Sequence, residues 1–424
     1  MHEFAIFIEL LNEANLQSYK PYPPEIFINQ SFSSLVFPDL ELNLYEQGIF
    51  SYIQVSSILD KSFIAKVVRM EQIDNSTLSV VISRNNIFED ANTEVFSLPS
   101  DKLERRLIIK FKDENTIDEG GVSREFFYLI TNIYFSPDMN LFEQFEDGGF
   151  YWFKKNANSN LKYFENVGIL VKLALLNSIT LPIKFPIVLY RKLFNVTLNM
   201  NDFAEIYPET AEGLLKLQQT MKEGDDYDIY FSVTEKDSNG EIKEVPIKEN
   251  GIDIKVTKSN VNEYVNCYID YMLNVSIQKE YDAFQKGFFS IQESIVIECL
   301  KYTDYDILIS GIQELEWKDL KLNANYTGGY VETSETVVMF WKIFDEFQLK
   351  QKKQILQFIT GISRAPAGGL KTVKITIQRS GDTDKIPTAH TCFNTLVLPD
   401  YKNLELIRKM LEICAANAEG FGLV

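Results

Sequence analysis

Four cysteines stand at 267, 299, 392 and 414, and the surroundings of Cys392 suit chemistry best. Ala389, His390 and Thr391 precede it, and Asn394 and Thr395 follow. Pro387 and Pro399 punctuate the stretch, and Leu396-Val397-Leu398 reads as a short apolar strand. A thiol on a loop beside a strand is placed to react once it ionises. The bland alternative is a half-buried cysteine packing as a small apolar residue. Spacing weakens several chemistries. A phosphatase-type loop needs an arginine six residues past the cysteine, where Leu398 stands. A redox pair needs a second cysteine close by, and a protease needs a distant histidine folded against the thiol. The chain has only His2 and His390. His390 could lower the thiol's pKa or orient an incoming group, or it could simply bond backbone in a turn. What remains is a nucleophile that needs little acid–base machinery. Thioester exchange fits, because the acyl group arrives already activated.

The other cysteines read as packing residues. Cys267 lies within the helix expected from Glu263 to Leu273, with Tyr264, Tyr268 and Tyr271 on one side, and that helix is expected to continue through Gly287. Cys299 sits in the apolar run Ile295 to Leu300, and Cys414 in a terminal helix over 403–418 built on Leu404, Ile407 and Leu411. The elements that must hold Cys392 are that helix, a strand from Val373 to Ile377, and a helix from Val337 to Phe347. Leu356 to Leu370 ends a further helix in a glycine-rich loop. Upstream, Leu107 to Lys112 reads as a strand, and Gly120-Gly121 precedes a helix that Ser123 would cap. A phosphate cradle there is disfavoured by Asp118 and Glu119. Leu214, Leu217 and Met221 share one helix face, the strand Tyr227 to Val233 follows, and 237–241 reads as a hairpin turn. A helix running from Asp304 ends at Gly311, where a domain junction is placed. Residues 1–75 offer an initial helix broken at Pro21–Pro24 and no catalytic constellation; they read as an unclassified extension.

Composition sets limits. A net charge of −18 argues against nucleic acid, whose phosphates need clustered Lys and Arg. Two histidines leave too few ligands for a zinc cage, and no cofactor is expected. The sparse, unpaired cysteines suit a reducing compartment. The start lacks a basic region ahead of its apolar run, and Lys172, Asn177 and the prolines 182 and 186 break the most membrane-like window. A cytoplasmic or nuclear protein without a membrane span is expected.

Ile386 to Tyr401 resembles the signature around the active cysteine of HECT-type ubiquitin ligases, departing only at Ile386, where leucine is usual. Asp118 to Phe127 resembles an amino-lobe motif of that family, Leu181-Pro-Ile-Lys-Phe-Pro186 a second, and Gln357 to Leu370 a carboxy-lobe loop. The four occur in the family's order over about 75–424, closest to the HERC-like and E6-associated branches. The resemblance implies an α+β, bilobal fold. A mostly helical amino lobe would span 76–310, with a conjugating-enzyme-binding helix-and-hairpin insertion at 187–258. A hinge at Gly311, Ile312 and Gln313 would lead to an α/β carboxy lobe at 314–424. It implies a ubiquitin-protein ligase that takes ubiquitin from a charged conjugating enzyme as a thioester on Cys392 and passes it to a substrate lysine. His390 and Thr391 would shape the loop, Asn394 would brace it, and Phe421, fourth from the end, would serve the second transfer. The docking groove would use Leu214, Leu217, Met221, Tyr227, Ile229, Tyr264 and Tyr268. A catalytically weak adaptor binding the conjugating enzyme or ubiquitin is the alternative. Lys172 stands where many relatives have glycine, a change the helix itself should tolerate.

Overall fold

The computed structural model describes residues 2–16, 22, 24–28, 64, 77–114, 121–145, 149–155, 160–236, 241–292, 297, 300–312, 315–381, 383 and 385–417. Asp118, Glu119, Gly120, most of the 237–241 turn, Cys299, Gln313, Ala418 and Phe421 lie outside these, and Cys392 is described by its backbone alone.

In chain order the principal elements begin with α1 (His2–Leu16), β1 (Thr77–Ile82), β2 (Arg106–Phe111) and α2 (Gly121–Tyr134). They continue with β3 (Phe142–Phe145), β4 (Phe150–Phe153), α3 (Leu161–Leu176), α4 (Ile187–Leu193), α5 (Met200–Ile206) and α6 (Pro208–Thr220). Next come β5 (Ser232–Lys236), β6 (Ile242–Pro246), α7 (Val261–Leu273), α8 (Gln278–Phe288) and α9 (Tyr302–Ser310). The chain closes with α10 (Trp317–Leu322), β7 (Asn325–Thr327), α11 (Glu335–Glu346), α12 (Leu349–Thr360), β8 (Thr376–Ser380), β9 (Thr388–His390), β10 (Thr395–Pro399) and α13 (Leu404–Asn417). Many helices with small separate sheets make the fold α+β, as expected. No helix among the described residues is long and apolar enough to cross a membrane.

The chain forms two compact units. The first comprises Met1–Ile133, Leu170–Pro182 and Ile291–Val424, and the second Tyr134–Ile169 and Ile183–Ser290. The junction expected at Gly311 therefore falls within the first unit.

In the first unit β1 and β2 pair in parallel, Thr77 opposite Arg106 through Ile82 opposite Phe111. Ser123 does not cap the following helix. It lies inside the first turn of α2, buried, where its hydroxyl accepts from the Ile109 amide at 3.1 Å and donates to the Leu107 carbonyl at 3.4 Å. A buried hydroxyl satisfies itself on the neighbouring strand when that strand is nearer than the helix's own first amides. Glu9 of α1 is buried and pairs with Lys301. Lys172 is wholly buried in α3, so the lysine at this place sits in the interior rather than reaching solvent.

The carboxy-terminal sheet has strand order β7-β8-β10-β9, with β8 parallel to both β7 and β10 and β9 antiparallel to β10. Phe340, Trp341 and Phe344 of α11, Leu356 and Ile359 of α12, Ile377, Leu396 and Leu398 of the strands, and Ile407 and Leu411 of α13 bury one continuous core. The strand expected from Val373 starts only at Thr376. Gly369, at φ +75°, initiates a 3-10 turn over Leu370–Thr372 that occupies the chain up to Val373.

The second unit is built on rings. Phe142 lies against Phe135 at 4.5 Å and Phe164 at 5.6 Å, and Phe153 against Phe284 at 5.7 Å, which uses the chain's aromatic surplus as core. Helices α3 and α8 meet through two glycines: a Cβ at Gly168 would lie 2.1 Å from the Phe284 carbonyl, and one at Gly287 1.9 Å from that of Glu165. The helix expected to run on from Glu263 through Gly287 instead breaks at Asn274. There the buried Lys192 ammonium bonds the Leu273 carbonyl at 2.9 Å and the Asn274 side-chain oxygen, ending α7. A 3-10 turn, Val275–Ile277, then leads into α8. The strand expected from Tyr227 begins only at Ser232, because Tyr230 bridges Lys255 and Val256 bonds the Ile229 carbonyl. Beyond it β5 and β6 pair antiparallel, Lys236 opposite Ile242.

Candidate active site

Cys392 occupies the middle of a 3-10 turn, Thr391–Phe393, joining the antiparallel strands β9 and β10. The turn is short because the register is tight: His390 already faces Thr395 across the pair. Asn394 makes the reversal possible. It takes the left-handed conformation at φ +48° and ψ 42°, which asparagine tolerates better than most residues. Its amide bonds the Thr391 carbonyl at 3.2 Å, its own carbonyl accepts from the Thr376 amide at 2.9 Å, and its Nδ2 donates to the Lys374 carbonyl at 3.2 Å. Asn394 thus ties the cysteine turn to the start of β8. Its neighbour Phe393 stands 62% exposed at the turn itself.

His390 is exposed at the end of edge strand β9, and Thr391 is half-buried. Gly361 closes α12 at φ +82°, and a Cβ there would lie 3.6 Å from the Thr391 Cβ and 3.9 Å from the Tyr128 ring. The glycine-rich loop after α12 and the cysteine turn are therefore neighbours, although 31 positions separate Gly361 from Cys392 in the numbering.

Residues with no chemical signature of their own fasten the far end of β10, away from the turn. Tyr330 donates its hydroxyl to the carbonyls of Leu398 at 3.2 Å and Pro399 at 3.1 Å. Asp400 accepts from Thr336 Oγ1 at 2.8 Å and from Arg379 at 2.6 Å, and Lys402 approaches at 3.1 Å. The Thr336 hydroxyl bond, then the two cations, hold its carboxyl below the ordinary range despite the opposing effect of burial. Tyr401 bonds the Lys385 carbonyl, and the Cys414 thiol lies 3.8 Å from the Pro387 carbonyl. Sequence reasoning passed over Asp400 and Tyr330. The available signal was Pro399-Asp400-Tyr401, a polar stop straight after an apolar strand. Burial pushes the Cys414 thiol up to about 12, so it is inert. Cys267 is half-buried and also pushed up, chiefly by burial.

Two of the expected hinge residues, Gly311 and Ile312, are described. Gly311 stands at φ +70° and ψ −179°, and Ile312 forms an antiparallel bridge with Ala365. The expected groove residues gather in the second unit around α6 and α7, with unequal exposure. Leu214, Met221 and Tyr264 are buried, Leu217, Ile229 and Tyr268 half-buried, and Tyr227 41% exposed. Tyr264 packs edge-on against Phe231 at 5.4 Å and Tyr268 against Phe203 at 5.9 Å. Burial raises both phenols, Tyr264 to about 12.

With this geometry, comparison with known proteins becomes informative. The model of the HECT-domain (ubiquitin-transferase) family matches residues 128–424, which include the cysteine turn. The chain belongs to the HECT family. It is 34% identical over 389 residues to the mouse protein named "Probable E3 ubiquitin-protein ligase HECTD2", an alignment covering 87% of this chain and 50% of that protein. It is 31% identical to human "Probable E3 ubiquitin-protein ligase HERC3" over 411 residues, 94% of this chain and 38% of that one. It is also 31% identical to "E3 ubiquitin-protein ligase pub3" of Schizosaccharomyces pombe over 356 residues, 81% of this chain and 45% of the other. The chain spans half or less of the length of these HECT relatives.

Proposed function

We propose that this HECT chain is a ubiquitin-protein ligase in which Cys392 carries ubiquitin between a conjugating enzyme and a substrate lysine. The observation that carries the reading is the fold of the signature run: Cys392 lies at a tight β9–β10 corner, braced by Asn394, inside the stretch that matches the family. A thiolate there attacks the activated thioester of a charged conjugating enzyme. The acyl group moves to the Cys392 sulfur, and the conjugating enzyme's thiolate leaves. An uncharged substrate amine then attacks the new thioester, its carbon–sulfur bond breaks, an amide forms as the amine gives up one proton to solvent, and the Cys392 thiolate returns. Exchange between thioesters is nearly isoenergetic, so positioning does most of the work.

In this reading residues 76–310 form the amino lobe, 187–258 receive the conjugating enzyme, and 314–424 form the carboxy lobe, turning at 311–313. The exposed Tyr227 and the half-buried Leu217, Ile229 and Tyr268 offer the accessible part of a docking face, while Leu214, Met221 and Tyr264 shape it from beneath. Phe421 acts in the second transfer.

The test uses a charged conjugating enzyme and labelled ubiquitin. Wild type should gain an adduct that reducing agent removes, and Cys392→Ala should not. Persistence of the adduct in that variant would overturn the assignment. Removing 421–424 should spare the adduct while lowering transfer to lysine, and undiminished transfer would overturn the role given to Phe421.

A further inference from the structure

The second unit carries a pocket of about 770 Å³ that the proposed chemistry does not use. Its wall runs from Lys192 of α4 and the chain into α5 to one face of α7 and the first turns of α8, so it lies wholly within that unit. None of the residues expected in the docking groove lines it. Val265, Ile269 and Asp270 border the pocket, while Tyr264 and Tyr268 stand on another side of the same helix.

The sequence makes this wall polar. Asn266, Asp270 and Asn274 recur at intervals of four, which stacks them along one edge of α7. On α8, Gln278, Asp282 and Gln285 recur at four and three and border the same space. Asn274 Nδ2 donates to Asp270 at 2.8 Å and Gln278 Nε2 to Asp282 at 2.6 Å, so each carboxylate is held by one oxygen. Both carboxylates act on the ammonium of Lys192, which gathers them around one point. That ammonium is already taken by the Leu273 carbonyl, the Asn274 side-chain oxygen and, at 4.3 Å, the ring of Tyr281. Two carboxylates against one buried cation leave the wall with negative charge in excess. Tyr281 forms the floor: it lines the pocket yet is only 6% exposed, and among the described residues its hydroxyl has no hydrogen-bond partner. An unpaired buried hydroxyl is costly, and a polar ligand atom that reaches it removes that cost.

We infer that this pocket binds an extended peptide segment through an arginine side chain. The excess negative charge selects a cation, and a guanidinium meets carboxylates with planar, directional donors while staying charged. The volume exceeds what one side chain fills, so the chain on either side of the arginine enters too. Asn195, Asn266 and Gln285 each offer the wall a donor and an acceptor, and a peptide backbone needs both. Binding here requires no chemistry at Cys392.

The full chain is titrated, by fluorescence anisotropy, with a labelled peptide Gly-Gly-Arg-Gly-Gly and with its citrulline counterpart, which keeps the shape and loses the charge. The arginine peptide should bind about tenfold more tightly than the citrulline peptide. Asp282→Asn, and separately Asp270→Asn on the facing helix, should each weaken it by about fivefold. Asp253→Asn removes an equal charge from an exposed position outside the pocket and should change affinity by less than about twofold. Asn266→Trp fills the pocket from an exposed helix position and should abolish binding, while Asn266→Gln should keep it. Far-ultraviolet circular dichroism checks that each variant is folded. No binding by wild type, or equal binding of the two peptides, would overturn the inference. Equal losses in Asp282→Asn and Asp253→Asn would overturn it too, since they would mean attraction to the acidic surface at large. Binding retained in both aspartate variants and in Asn266→Trp would place the peptide elsewhere.

Discussion

Replacing Gly287 with alanine tests whether the α3–α8 contact is as close as the structure shows. The added Cβ would lie 1.9 Å from the Glu165 carbonyl oxygen and 2.7 Å from its carbon. Both are backbone atoms, so no side-chain rotation relieves the clash and the two helices must part by about 1 Å or more. Phe284 and Phe288, at 0% and 1% exposure, would lose close packing as they do. Overpacking costs about 1–3 kcal/mol, and an unyielding backbone belongs at the upper end. Against it stands the better helix propensity of alanine, about 1 kcal/mol. The net is a loss of about 2 kcal/mol, which at about 2–4 °C per kcal/mol lowers the Tm by about 4–8 °C. Thermal scans by near-ultraviolet circular dichroism, with refolding checked, read this directly. Gly213→Ala in α6 is the matched control, because nothing lies within 4 Å of its Cβ. There propensity acts unopposed, and the Tm should rise by about 2–4 °C. A Tm unchanged or raised in Gly287→Ala, alongside the expected rise in Gly213→Ala, would refute the close approach of α3 and α8.

Asn394→Ala should destabilise the carboxy-terminal region by about 1–3 kcal/mol, since it keeps the left-handed backbone and loses the Lys374 bond. Asn394→Gly should cost less; equal losses would mean that backbone strain is not the issue. Lys192 is pulled down to about 8 by burial, against the opposing pull of Asp270 and Asp282. Between pH 8 and 10 the unfolded chain therefore holds more protons than the folded one, and this residue's contribution to stability rises with pH. The stability difference between wild type and Lys192→Met should shift toward wild type across that window, and a flat difference would contradict the depressed value. Asp400 titrates below its ordinary range, so its contribution is present above the unfolded pKa of about 4 and is lost as pH falls through the folded value. Urea midpoints of Asp400→Asn should accordingly approach those of wild type below about pH 3, and a constant gap down to pH 2 would argue against it.

The sequence by itself determined the family and the residue at the centre of the proposed chemistry. Side-chain type and spacing are local properties, and Ile386 to Tyr401 carries its family resemblance without reference to the rest of the chain. Helices with strong apolar periodicity were legible for the same reason, as with Phe340, Trp341 and Phe344 on one face of α11. Expectations slipped where a distant group intervened. Lys192 ends α7 from 81 positions away by taking its terminal carbonyl. Lys255 holds Tyr230 out of the strand that its alternation suggested. Ser123 spends its hydroxyl on β2 instead of capping its own helix. Tertiary structure alone decided that Gly168 and Gly287 lie at one helix contact, that Asp400 and Tyr330 fasten the end of β10, and that Ile312 is bonded to Ala365. Each depends on which backbones come within bonding distance after the chain has closed, and no local pattern encodes that.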